Sequence, residues 1–185
     1  MTVDVSTSMR DELSDGRTKL EAAKDASCGF LATKVSQDVG DEVALISFNS
    51  DAVVECPMSP IHSGYQSMIG SIRGLRTNGG TEIPNALYVA DGIFLWPRRD
   101  VVRRVVLLTD GHSSDPRQAA RSLKDRGVVI DVVGIGDSPS QVNEELLREV
   151  ASTIDGQCRY RFLDKAGDLQ RHYAILGNKT SIAGY

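Results

Sequence analysis

The chain is poor in the features that commit a protein to a membrane, a nucleic acid or a soft metal. Its net charge is only −4 over 185 residues, too small a bias to draw it to nucleic acid or to an anionic surface. No apolar run reaches the roughly 18 residues of a membrane-spanning helix. The start, Met1-Thr2-Val3-Asp4, has neither the basic nor the apolar stretch of a secretion signal. The three cysteines, Cys28, Cys56 and Cys158, are far apart and form no CxxC pair, so a thiolate metal site is not expected. They read as reduced, mostly buried thiols of a cytoplasmic protein. A GxxxxGK[ST] phosphate loop and a GxSxG nucleophile elbow are also missing. So is a second aspartate two residues after Asp4, where a phosphohydrolase with an aspartyl nucleophile would place its acid. Internal repeats, low-complexity stretches and long linkers are absent, and 41% apolar with 25% charged residues suits one globular domain with a sizeable core.

What the chain does have is an alternation of strand and helix. Short apolar runs at Met1–Val3, Val43–Phe48, Val101–Thr109, Val128–Ile135 and Tyr160–Leu163 predict strands. The Val-Val-Leu-Leu segment before Thr109 predicts a strand buried on both faces, as parallel strands are. Ala52–Cys56 follows Val43–Phe48 across a short polar turn and predicts an antiparallel edge strand. Helical spacing joins Leu20, Ala23, Ser27 and Val35, then Met68, Ile69 and Ile72, then Ile83, Leu87, Ala90 and Phe94. Pro84 fits a first helical turn, Asp115-Pro116 opens another helix, and Gly127 closes it. Ser140 is expected to cap a helix bearing Val142, Leu146, Val150 and Ile154. Leu169, Tyr173 and Leu176 mark a closing helix with only a light apolar face. The pattern predicts an α/β fold: a doubly wound, mostly parallel six-stranded sheet with one antiparallel edge strand and helices on both faces. Residues 1–178 form the domain and 179–185 a tail.

In such a sheet, ligands bind at the carboxyl ends of the strands. Asp4 ends the first strand, and Ser6 and Ser8 follow it two residues apart. Thr81 follows Gly79-Gly80, and Asp110 ends the run Leu107-Leu108-Thr109 before Gly111. Two carboxylates and three hydroxyls from three loops make an all-oxygen donor set suited to a hard divalent cation such as Mg2+. The competing reading is ordinary capping and turn chemistry, for which Ser, Asp and Gly are equally common.

Asp4-x-Ser6-x-Ser8-Met9, Gly80-Thr81 and Thr109-Asp110-Gly111 resemble the von Willebrand factor type A (vWA) domain and its metal-ion-dependent adhesion site. The strand and helix order and Val133-Gly134-Ile135-Gly136 extend the likeness over nearly the whole chain. The resemblance implies a Rossmann-like fold in which Ser6, Ser8 and Thr81 contact Mg2+, with Mn2+ or Ca2+ as substitutes. Asp4 and Asp110 would hold the ion largely through waters and hydrogen bonds to the hydroxyls. It implies a non-enzymatic protein-interaction module whose partner donates an Asp or Glu carboxylate. Bacterial members of this type often work beside ATPases or other assembly factors. The alternatives are a metal-dependent phosphohydrolase-type enzyme and a scaffold domain with a non-functional metal site.

Two departures stand out. Only three residues precede Asp4, and the loop Arg10–Arg17 is longer and more charged than the family's usual link, reading as solvated. His62, His112 and His172 are scattered and read as surface residues. Trp96 reads as partly packed in the core, and Arg98, Arg99, Arg103 and Arg104 as solvated charges at a strand entrance.

Overall fold

The computed structural model describes residues 1–37, 40–94 and 101–178. In chain order the elements are β1 (Thr2–Asp4), a 3-10 turn (Thr7–Arg10), α1 (Lys19–Gln37), β2 (Glu42–Phe48), β3 (Ala52–Pro60), α2 (Ile61–Gly74), α3 (Ile83–Ile93) and β4 (Arg104–Thr109). They continue with α4 (Arg117–Asp125), β5 (Val129–Ile135), α5 (Glu144–Val150), β6 (Thr153–Ile154), β7 (Gln157–Cys158), β8 (Tyr160–Leu163) and α6 (Ala166–Asn178). The main sheet has six strands in the order β3-β2-β1-β4-β5-β8. Only the β2–β3 pair is antiparallel, so the expected architecture is what the chain adopts.

Strand alternation sorts the core into two layers. Val106 and Leu108 of β4 face α1, α2 and α6, where Ala23, Phe30, Leu31, Met68, Leu169 and Tyr173 are buried. Val105 and Leu107 face the opposite side, against Leu87 of α3, Leu123 of α4 and Leu147 of α5. Each such aliphatic, fully buried, contributes about 1.5–3 kcal/mol. The central strands are therefore fixed from both faces, and so are the loops at their carboxyl ends.

Several local expectations are corrected. The helix expected to begin at Ser140 and run to Ile154 is shorter. Residues Pro139–Gln141 form a separate 3-10 turn, and Asn143 is the cap, its side chain accepting from the Leu146 amide at 3.2 Å. Ser140 Oγ is instead 2.8 Å from Ser138 Oγ. Ile154 lies in a two-residue strand paired with β7. Their turn is Asp155-Gly156, both with positive φ (49° and 75°). That is the Asp-Gly signature of a tight hairpin, present in the sequence and overlooked.

Helix α6 is not lightly docked. Tyr173 and Leu169 are fully buried, and the Tyr173 ring meets Phe30 of α1 edge-on at 6.3 Å. Of the three cysteines only Cys56 is buried; Cys28 is half-buried and Cys158 exposed. The basic cluster is not simply solvated: Arg104 Nε lies 3.2 Å from the buried Asp131 of β5, and Arg103 donates to the Arg126 carbonyl. Trp96, Arg98, Arg99 and the 179–185 tail lie outside the described residues.

Candidate functional site

The parallel arrangement brings Asp4, at the end of β1, beside Asp110, the first residue after β4. Both are buried, at 0% and 4% exposure. The chain leaving β1 curls at once: the Ser6 amide donates to Asp4 Oδ1 at 2.8 Å, an aspartate turn that swings the backbone back over the strand end. The 3-10 turn then places Ser8 above Ser6, with the hydroxyls 3.1 Å apart, and Ser8 Oγ donates to Asp110 Oδ1 at 2.9 Å. Thr109 completes the set from the sheet side, donating its hydroxyl to Asp4 Oδ2 at 2.6 Å and accepting the Gly111 amide at 3.2 Å.

The third loop is tied to the first by backbone. Thr7 donates its amide and its hydroxyl to the Gly79 carbonyl (3.1 and 2.9 Å), and the Asn78 amide donates to the Val5 carbonyl at 2.8 Å. Gly79 has a φ of 70°, a left-handed conformation that suits glycine. Any Cβ there would also press on Ser50 Oγ at 3.1 Å. This path delivers Thr81 to Gly111: a Cβ built on Gly111 would lie 3.4 Å from Thr81 Oγ1. Asp4, Ser6, Ser8 and Asp110 thus form one hydrogen-bonded chain, and Thr81 stands at its edge against the turn after Asp110.

Sequence reasoning missed two contributors. Thr109 was read as part of the motif without a role of its own. Lys19, the first residue of α1, belongs to none of the motifs, yet its side chain is only 6% exposed and its ammonium lies 3.0 Å from Asp110 Oδ2. The signal was its spacing. Lys19, Ala23, Ala26, Phe30 and Lys34 recur every three or four residues along the buried face of α1.

Electrostatically the site is tense. Burial pushes the Asp4 carboxyl up to about 6, against the lowering effect of its bonds from Thr109 and Ser6, while the neighbouring Asp110 charge pushes the same way as burial. The donor chemistry fits a hard cation. Neighbouring oxygens around an octahedral Mg2+ stand about 3 Å apart, and the Ser6–Ser8 separation is 3.1 Å. Among the described residues no three His, Cys, Asp or Glu side chains gather as a metal-holding group, and this site brings two carboxylates together with hydroxyls.

The flanking loop is anchored rather than merely solvated. Leu13 is buried, Arg10 donates to the Thr77 hydroxyl and carbonyl at 2.6 and 3.1 Å, and Asp15 accepts the Ala166 amide at the start of α6. His112 and His62 are exposed, as expected for surface histidines.

Fold and site together define a class: a doubly wound α/β domain that gathers oxygen donors from three loops at the carboxyl edge of its sheet. The von Willebrand factor type A domain family model matches residues 1–173, and the chain belongs to that family. Among solved structures, it is similar to a von Willebrand factor type A protein from Catenulispora acidiphila. That match has 22% identity and a TM-score of 0.79, and covers 97% of this chain and 41% of that one. BatB from Bacteroides thetaiotaomicron is also 22% identical, with a TM-score of 0.77 over 97% and 96% of the two chains. The vWF domain of the pilus tip protein Mfa5 from Porphyromonas gingivalis is 12% identical, with a TM-score of 0.82 over 98% and 94%. A curated relative, the collagen alpha-4(VI) chain of Mus musculus, is 36% identical over 92 residues; the match takes in 49% of this chain and 4% of that protein. Domains of this family generally mediate protein–protein interaction and adhesion, and no helix among the described residues is long and apolar enough to cross a membrane.

Proposed function

We propose that this domain binds a protein partner through a divalent cation held by Ser6, Ser8 and Thr81, with Asp4 and Asp110 as the charged support. Mg2+ is the ion that the donor set favours, with Mn2+ or Ca2+ as substitutes. The observation that carries the reading is the unbroken chain Ser6–Ser8–Asp110, with spacings of 3.1 and 2.9 Å, closed on the far side by Thr109 and Asp4.

When bound, the ion supplies a Lewis-acidic position that attracts a carboxylate oxygen of the partner. The protein's own residues prepare that position. Thr109 and the Ser6 amide fix the two Asp4 oxygens, and Ser8 fixes one oxygen of Asp110. Such supporting bonds orient the groups that touch a metal. Neutral hydroxyls quench little of the ion's charge, which favours an anionic ligand from the partner, an exposed Asp or Glu.

We read the domain as a binding module rather than a catalyst: the Ser8 and Thr109 hydroxyls donate to the Asp110 and Asp4 carboxylates, and those bonds orient the charged support of the ion. Its unpaired thiols, one of them exposed, support a cytoplasmic setting. Calorimetric titration of Mg2+ and Mn2+ into wild type and Asp4→Ala tests the reading. Saturable binding in the wild type, weakened at least about tenfold in the variant, is expected for loss of one of two carboxylates. Equal affinity in the two proteins would remove the metal from the proposal. Capture of a partner in Mg2+ and its release by EDTA would then connect the ion to recognition.

A further inference from the structure

Two buried carboxylates face each other across this site, and the chain supplies its own cation for one of them. Lys19 Nζ lies 3.0 Å from Asp110 Oδ2 with both side chains almost wholly buried, at 6% and 1% exposure. Its only other acidic neighbour among the described pairs, Asp11 at 3.6 Å, is 69% exposed, where solvent and salt screen the interaction. The two oxygens of Asp110 are thus divided: Oδ1 takes the Ser8 hydroxyl and Oδ2 takes the ammonium. The lysine is placed by helix geometry, because the first turn of α1 starts beneath the Asp110 loop and its buried face continues into Ala23 and Ala26.

We propose that Lys19 is a built-in monovalent cation of the site. It neutralises Asp110 when no divalent ion is present, and by like-charge repulsion it limits how tightly a divalent ion is held. This rests on the metal-site reading above and goes beyond it. With Asp4 and Asp110 ionised, Lys19 leaves the site one net negative charge instead of two. The site can therefore close around its own ammonium, and a bound ion remains exchangeable. Lys19 acts through Asp110 and through space and is a positioning and charge-setting residue, not a ligand.

The test compares wild type, Lys19→Met, Lys19→Arg and Asp11→Asn by calorimetric titration with Mg2+ alone, and by thermal melting with and without Mg2+. Removing a nearby unit charge from a partly buried site is expected to tighten Mg2+ by about tenfold or more in Lys19→Met. Lys19→Arg and Asp11→Asn should stay near wild type. Without metal, Lys19→Met should melt lower than wild type because Asp110 is left without its counter-charge, and Mg2+ should raise its melting temperature more than it raises that of wild type. A merely structural lysine would not produce tighter metal binding together with rescue by arginine. Should Lys19→Met not fold, Lys19→Gln keeps a donor on Asp110 without the charge and carries the same readout. Metal binding in wild type with equal or weaker binding in the neutral variants overturns this proposal and leaves the metal site standing. Binding in the neutral variants but not in wild type supports Lys19 as the resident cation and removes the metal from the wild-type function. Absence of binding in all of them overturns both.

Discussion

Asp4 is held by two well-formed hydrogen bonds and still has its carboxyl pushed up to about 6, because burial outweighs them. Its ordinary value, 3.8, applies in the unfolded chain. Between those two values the folded state holds the proton more often than the unfolded state, so the metal-free protein loses stability as pH rises from about 3.8 to about 6. Above that window the cost of burying the ionised group is fully present. Asp4→Asn removes the charge and keeps the shape. Denaturant unfolding at pH 8 in EDTA should therefore find the variant more stable than wild type by about 1–3 kcal/mol. The gain should vanish near pH 3, and Mg2+ should no longer stabilise the variant. A variant less stable than wild type at pH 8 in EDTA would contradict this account of Asp4. The meeting of Asp4, Ser6, Ser8 and Asp110, with Thr81 at their edge, was legible because Asp4 and Asp110 end strands, the two serines follow within four residues and Thr81 follows a glycine pair. The parts played by Lys19 and Thr109 were not, for different reasons. A lysine at a helix start carries by itself no signal of burial until tertiary packing covers it, and a threonine inside a motif does not by itself show that it donates to a carboxylate on the neighbouring strand.

At the level of elements, the parallel strands were legible because β4 and β5 are apolar on both faces, leaving few alternatives to the centre of a covered sheet. The antiparallel β3 was legible from its short link, although it extends to Pro60, four residues beyond the expected end at Cys56. Helix caps were less so, because several candidates compete within a few residues: Ser138 and Ser140 satisfy each other, leaving Asn143 to cap α5. The docking of α6 was misjudged because its apolar residues are few. What fixes it is close approach to α1 added to the buried Leu169, Tyr173 and Leu176. Gly177 is buried against α1, where a Cβ would lie 3.0 Å from Thr33 Cβ and 3.2 Å from the Phe30 carbonyl oxygen. Gly177→Ala must push the two helices apart or bend Thr33, and should destabilise the fold by about 1–3 kcal/mol despite alanine's better helix propensity. The loop before α1 ties the same helix to the site, since Asp15 accepts the Ala166 amide. Hydrogen exchange in Gly177→Ala should therefore quicken along α6 first, and urea unfolding would give the loss in stability. A neutral or stabilising substitution would show that the α1–α6 contact is looser than this spacing requires.

For the molecule as a whole, the site is a junction of three loops that the sheet holds from below. The first loop is joined to the third through Thr7 and Gly79 and to the second through Ser8 and Asp110, so an ion bound there would cross-link segments about 70 to 100 residues apart in the chain. An ion that binds only where those loops meet has no comparable site in the unfolded chain, and its binding energy becomes stability. At free Mg2+ roughly a hundred times the dissociation constant, the gain is about 2.7 kcal/mol. In a domain of this size that is about 5–10 °C in melting temperature. The increment should grow with the logarithm of Mg2+ concentration, disappear in excess EDTA, and be absent in Asp4→Asn and Ser8→Ala. Ser8 is the more telling of the two controls. It is exposed, so replacing it barely disturbs the core, and failure of Mg2+ to stabilise Ser8→Ala would trace to the hydroxyl itself. A wild-type melting temperature unmoved by millimolar Mg2+ would instead identify a scaffold whose loop junction needs no ion, and Mg2+ binding by the neutral Lys19 variants would then decide whether Lys19 is the charge that completes it.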